Sequence, residues 1–234
     1  MLQRLLRMKG ECAGIAGSAR KAAVLGGALT ALMLAGQARA ADGKTIVMQG
    51  NGKGAPPCMA CHGIQGQGNA AGGFPMLAGH SAHYLAKQLK DFQKGLRTNA
   101  TMAPIAKALS DDQIQAVAGY YASQKPPAKA PGSKAASKAV LQLGRELVTE
   151  GKWGQGIPAC VRCHGPDARG NPPHFPPLAG QGAGYIEAQL KAFKENSRRN
   201  DAGKMMRHVA EALSAQDVTA VASYLATVSP ASDR

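Results

Sequence analysis

The sequence contains one unit twice. "CMACHG" from Cys58 returns as "CVRCHG" from Cys160, and Gly68-Asn69 returns as Gly170-Asn171. After a one-residue gap, "FPMLAG" from Phe74 meets "FPPLAG" from Phe175, and "YLAKQLKDF" from Tyr84 meets "YIEAQLKAF" from Tyr185. "MAPIAKALS" from Met102 then meets "MRHVAEALS" from Met206. Composition bias does not generate ordered matches of this density, so the fold is a duplicated one. Between the copies, "SQKPPAKAPGSKAASK" from Ser123 to Lys138 offers almost nothing to bury and reads as a solvated connector. The expected organisation is a leader over 1–40, a first domain over 41–122, a linker over 123–138 and a second domain over 139–234.

Each unit reads as helical. Tyr84, Leu85, Leu89 and Phe92 recur at helical spacing, as do Tyr185, Ile186, Leu190 and Phe193. Ser110 with Gln113 forms a capping-box pattern, and Ser214 with Asp217 an acidic variant of it. The stripe Ile114, Val117, Ala118 and Tyr121 follows the first box, and Val218, Val221, Ala222 and Leu225 follow the second. A further helix is expected near Val140–Glu150, with a shorter counterpart near Lys44–Gln49. No segment alternates long enough to make a strand. The expected class is all-α: two tandem domains, each of about three helices around a gap.

The gap needs filling. The chain of 234 residues has 29 Gly and 14 Pro but only 4% aromatics, so two small loop-rich domains would bury little apolar surface unaided. Cys-x-x-Cys-His is the attachment signature of c-type haem. Two thiols one turn apart bond the two vinyl groups on one porphyrin edge, and the adjoining histidine lies under the iron. Cys58 and Cys61 with His62, and Cys160 and Cys163 with His164, are therefore the expected attachment and ligand residues of two covalently bound haem c groups. The covalent macrocycle also supplies the missing core. A four-thiolate zinc cage would leave both histidines idle, and a thioredoxin-like dithiol expects a β-rich context.

The sixth ligand decides between electron transfer and ligand chemistry. It should occur in both copies, yet no histidine outside the two motifs does: His80 falls opposite Gln181, His83 opposite Gly184, His174 opposite Gly73, and His208 opposite Pro104. Met76 falls opposite Pro177. Met102 and Met206 are the shared candidates, each eight residues before a capping serine. Met205 stays open as a rival to Met206, and His80, His83 and His174 read as surface or satisfied histidines.

The first forty residues look like an export signal. Arg4, Arg7, Lys9, Arg20 and Lys21 precede an apolar run over Ala22–Gly36, and Ala38-Arg39-Ala40 fits small-x-small cleavage, with Met8 as an alternative start. A run of about fifteen residues is shorter than the roughly 20 of a spanning helix. Removal of residues 1–40 would take Cys12 away and reduce the formal charge from +14 to about +9. A basic surface without aromatic–basic interleaving or a nucleic-acid fold motif argues against nucleic acid. An acidic protein partner or an anionic membrane face, with peripheral association, suits it better.

The order "CxxCHG … FPxLAG … YxxxQLxxF … M … ALS", present twice, resembles the dihaem cytochrome c4 family of class I cytochromes c, over essentially the whole mature chain. The resemblance implies that Pro75 and Pro176 offer their carbonyls to Nδ1–H of His62 and His164. It also implies Met102 and Met206 as axial ligands, and two domains packed with their haem edges close. The function expected is a periplasmic electron carrier, not an enzyme, working between a quinol-oxidising complex and a terminal oxidase. The alternative is a dihaem subunit of a dehydrogenase such as a sulfide-oxidising flavocytochrome. No nucleophile–base pair or substrate pocket is legible, and two paired methionines argue against a dihaem peroxidase.

Overall fold

The computed structural model describes residues 42–128 and 136–230. The expected export signal and cleavage site lie outside the described residues, as does the middle of the linker. In the first half the helices are α1 (Gly43–Gln49), α2 (Met59–His62), α3 (Ala82–Gln93), α4 (Met102–Lys107) and α5 (Asp111–Ala122). The second half repeats them as α6 (Lys138–Thr149), α7 (Val161–His164), α8 (Ala183–Lys194), α9 (Met205–Ala212) and α10 (Ala215–Leu225). It adds an antiparallel two-residue pair, β1 (Gly151–Lys152) with β2 (Ile157–Pro158), and short 3-10 turns over Trp153–Gln155, Pro166–Ala168 and Ala202–Lys204. Three longer and two short helices per half surround the gap that the repeat requires. Among the described residues, no helix is long and apolar enough to cross a membrane.

Local sequence explains half of the helix starts. The Asp42 carboxylate accepts from the amides of Lys44 and Thr45, Ser81 Oγ from Tyr84, and Ser137 Oγ from Val140. Both expected capping boxes close in both directions, Ser110 with Gln113 and Ser214 with Asp217. Helix α6 therefore begins at Lys138, the last residue assigned to the linker.

The terminal helices of each half cross at a glycine. A Cβ built on Gly43 would sit 2.1 Å from the Ala116 carbonyl oxygen of α5, and one on Gly144 would sit 2.1 Å from that of Ala220 in α10. These two glycines occupy equivalent repeat positions, so the duplicated crossing is a backbone-to-backbone contact that only glycine admits. Beneath it, Val47, Ile114 and Tyr121 are fully buried in the first core, as are Leu147, Val148 and Leu225 in the second.

Helices α3 and α8 bury more than their apolar stripes. On α3, Gln88 and Asp91 are as buried as Leu85 and Phe92, because this face meets the other half of the molecule. Arg97 and Arg198 form an antiparallel bridge at the seam. Each guanidinium stacks on the phenylalanine of its own half, Arg97 on Phe92 at 4.7 Å and Arg198 on Phe193 at 4.4 Å. Arg97 donates to Tyr185 Oη and Gln189 Oε1, both at 2.7 Å. Arg198 returns the pattern to Tyr84 Oη at 3.0 Å and Gln88 Oε1 at 3.1 Å. Reciprocal contacts of this kind define a two-fold arrangement. The duplicated halves pack as two subunits of a dimer would.

Candidate haem sites

The attachment motifs sit on single turns. Cys58 precedes α2, which ends at His62, and Gly63 leaves the helix at a φ of 76°. Cys160, α7, His164 and Gly165 repeat this, with Gly165 also at 76°. One helical turn thus places both thiols and the imidazole of a motif together, as the signature requires. The four motif cysteines are free; Cys58, Cys61 and Cys160 are half-buried and Cys163 is exposed. Burial pushes the Cys58 thiol above its ordinary value and that of Cys160 up to about 11, so both are neutral thiols. Among the described residues, no three His, Cys, Asp or Glu side chains converge as a metal cluster.

Both motif histidines are held neutral. Each is 7% exposed, and burial lowers its proton affinity against the opposing pull of a backbone carbonyl. His62 Nδ1 lies 2.9 Å from the Pro75 carbonyl oxygen, and His164 Nδ1 lies 2.8 Å from that of Pro176. A carbonyl only accepts, so Nδ1 carries the proton and the Nε2 lone pair is free for a metal. Phe74 and Phe175 stand edge-on to these rings at 6.3 and 6.1 Å.

A cavity of about 430 Å³ opens beside the first motif. Cys58, Cys61, His62, Pro75 and Met102 line it, with Leu85, Phe92 and Val117 supplying an apolar wall. Its lining extends to the seam at Arg97, Arg198 and Tyr185. An apolar cavity whose lining includes two thiols, a free imidazole nitrogen and two guanidiniums fits a dicarboxylate porphyrin attached through thioethers. In the second half, Cys160 and Met206 pack against one core cluster with Leu190 and Phe193.

The methionines occupy matching places. Met102 opens α4 and is half-buried, its amide and that of Thr101 held by Asn99 Oδ1. Met206 lies in the first turn of α9 and packs inward, whereas Met205 is 47% exposed. Of the other histidines, His83 and His174 are exposed and meet edge-on across the seam with ring centroids 4.9 Å apart. His208 is exposed as well.

His80 corrects the expectation of a surface or satisfied histidine. It is buried, stacks on Tyr84 at 5.4 Å, and its Nδ1 has no hydrogen-bond partner. Burial pushes its proton affinity down to about 4, so it is held neutral. The repeat pairing with Gln181 was the available signal, because position 181 also turns out to be buried at the seam. Sequence reasoning placed Tyr121 only in an apolar stripe, yet its hydroxyl donates to the Gly63 carbonyl at 3.2 Å and ties α5 to the first motif. Its second-half counterpart is Leu225, which cannot make that bond.

The cytochrome c family model matches residues 40–125 and again 142–229. The chain is 46% identical over 201 residues to the thiosulfate dehydrogenase electron acceptor of Stutzerimonas stutzeri (strain A1501), covering 86% of this chain and 92% of that protein. Among solved structures it is similar to reduced cytochrome c4 from Pseudomonas stutzeri, at 38% identity and a TM-score of 0.66, over 73% of this chain and 93% of that one. It is also similar to the thiosulfate dehydrogenase of Marichromatium purpuratum, at 38% identity and a TM-score of 0.76, over 82% of this chain. The chain spans 40% of that longer protein. The two matched domains, their paired Cys-x-x-Cys-His sites and the likeness to cytochrome c4 place this chain in the cytochrome c family, as a two-domain c4-type electron carrier with two covalently bound haem c groups.

Proposed function

We propose that the protein is a periplasmic carrier that accepts single electrons from a dehydrogenase oxidising thiosulfate or a related sulfur compound and delivers them towards a terminal oxidase. The observation that carries the donor assignment is the 46% identity, over 92% of its length, to a protein named as a thiosulfate dehydrogenase electron acceptor. A second reading, a carrier between a quinol-oxidising complex and an oxidase, is favoured by the likeness to cytochrome c4.

In this reading Cys58, Cys61, Cys160 and Cys163 would hold the haems as thioethers, and His62 and His164 would ligate the irons. Met102 and Met206 complete the coordination, and the inward packing of Met206 beside exposed Met205 favours it over its neighbour. The haem supplies a one-electron ferric–ferrous couple. The chain's part is to fix ligand identity, to bury the imidazoles, and to keep water from the metal-facing nitrogens. Soft thioether sulfur favours the reduced state and raises the potential. The Pro75 and Pro176 carbonyls orient each ring and increase its basicity, which acts in the opposite sense. The cytochrome domains are assigned to 41–122 and 139–234, joined through 123–138, with residues 1–40 removed on export.

The test is direct reduction. The oxidised holoprotein is mixed with catalytic amounts of a thiosulfate dehydrogenase and thiosulfate, or with a quinol-oxidising complex and quinol, and haem reduction is followed by absorbance. Fast reduction in the first mixture and slow reduction in the second is the expected result. The reverse order would assign the donor to the quinol-oxidising complex.

A further inference from the structure

We propose that Gln181 of the second domain is a positioning residue for the first haem, and that the second haem lacks its equivalent. This rests on His62 and His164 being the proximal ligands.

Gln181 is 3% exposed and precedes α8, yet its carboxamide pairs with the backbone of Met76 in the other half. Met76 N–H donates to Gln181 Oε1 at 2.9 Å, and Gln181 Nε2 donates to the Met76 carbonyl at 3.1 Å. Gly182 N–H also donates to Oε1 at 3.2 Å, which fixes the carboxamide to its own loop. The Met76 N–H and the Pro75 C=O belong to one planar peptide group. That group accepts from His62 Nδ1 at one end and donates to Gln181 at the other. Hydrogen bonds in series polarise one another, so the Gln181 contact makes the Pro75 oxygen a stronger acceptor and holds it in place. A stronger acceptor at Nδ1–H makes the imidazole a more basic ligand, which favours ferric iron.

The second site cannot be held this way. His164 Nδ1 bonds the Pro176 carbonyl at 2.8 Å, but the next residue is Pro177, whose nitrogen carries no hydrogen. Reciprocity across the seam would place residue 80 against residue 177, as it places Arg198 against Tyr84 where Arg97 meets Tyr185. Position 80 is a histidine with an unpaired buried Nδ1, and no described hydrogen bond reaches the Pro177 carbonyl. Ser81 Oγ does donate to the Pro173 carbonyl, but among the described residues only the first proximal proline peptide is braced from the other domain. Two nearly equivalent haems become unequal.

The test uses the complete holoprotein, with the two potentials separated by titration and assigned through haem-methyl proton resonances. Gln181→Met keeps the volume and removes both hydrogen bonds. The first haem should become easier to reduce, by about a threefold change in the ferrous-to-ferric ratio at fixed potential (about 30 mV for a one-electron couple). The second haem should be unmoved, and the Met76 amide should lose protection against hydrogen exchange. An unmoved first potential, or both potentials moving together, overturns the proposal. Should this variant fail to assemble, Pro177→Ala with His80→Gln builds the missing brace. A lowered second potential then supports the proposal, and an unchanged one overturns it. The His–Met optical signature, recorded on each protein, tests the ligand assignment separately.

Discussion

Arg97 of the first half donates to Tyr185 Oη of the second at 2.7 Å and is 7% exposed. Arg198 sits against it, equally buried, so the seam holds two cations close together. Burial and Arg97 together lower the proton affinity of Arg198, the mark of that repulsion. Removing Arg97 would relieve it but would leave Tyr185 Oη without its guanidinium donor and strip the face of Phe92, while Gln189 would keep only the bond from Arg198. The losses outweigh the relief, since breaking a buried charged network costs about 3 kcal/mol. Arg97→Ala should lower the unfolding free energy by roughly that amount, and small-angle scattering should show the halves separating. A variant as compact and stable as the parent would remove the seam's role.

The buried His80 links stability to pH. Its proton affinity is lowered from 6.5 to about 4, chiefly by burial, with backbone carbonyls of Ala78 and Leu77 opposing and Arg97 reinforcing. As pH falls through 6.5, the unfolded chain takes up a proton that the folded chain refuses. Stability is thus full above that pH and is lost progressively down to about 4, by at most about 3 kcal/mol. Denaturant titrations of the holoprotein at pH 7, 5.5 and 4.5 should show this slope, at about those values. His80→Gln should flatten it.

Two glycines in similar helical settings should respond oppositely to alanine. A Cβ on Gly144 would lie 2.1 Å from the Ala220 carbonyl oxygen, a backbone atom that cannot yield cheaply. Gly144→Ala gains about 1 kcal/mol of helix propensity but forces α6 from α10, and should destabilise by about 2 kcal/mol net or more. Gly119 in α5 is exposed and its Cβ would meet nothing within 4 Å. Gly119→Ala should therefore stabilise by about 0.5–1 kcal/mol. Thermal melts of the two variants in opposite directions are the expected outcome.

Much of this molecule is written in the repeat. The capping serines, the apolar stripes of α5 and α10, the Cys-x-x-Cys-His turns and the shared methionines are local features, and local features survive in a linear reading. The Gly43 and Gly144 crossings were less legible, because a helical glycine looks like a defect until its partner helix is known. His80 was misread because an isolated histidine carries no signal of burial. Its meaning lies in Gln181, 101 positions away and in the other copy. The burial of Gln88 and Asp91 was hidden for the same reason, since a polar face on an amphipathic helix implies solvent unless a second domain covers it.

The axial assignments separate by single substitutions. Met102→Ala should open the first iron to carbon monoxide and lower its potential while leaving the second unchanged, and Met206→Ala should do the converse. Met205→Ala, altering a side chain 47% exposed, should leave both spectra as they were. Carbon monoxide difference spectra of the three ferrous variants check this.

The most direct measurement is a combined haem count and potentiometric titration of the purified holoprotein, followed through the absorption band that marks thioether sulfur bound to ferric haem. The account predicts two haems per chain, two one-electron steps, and a band of full intensity that halves in Met102→Ala and in Met206→Ala. A single haem per chain, or a band indifferent to either methionine, would contradict it.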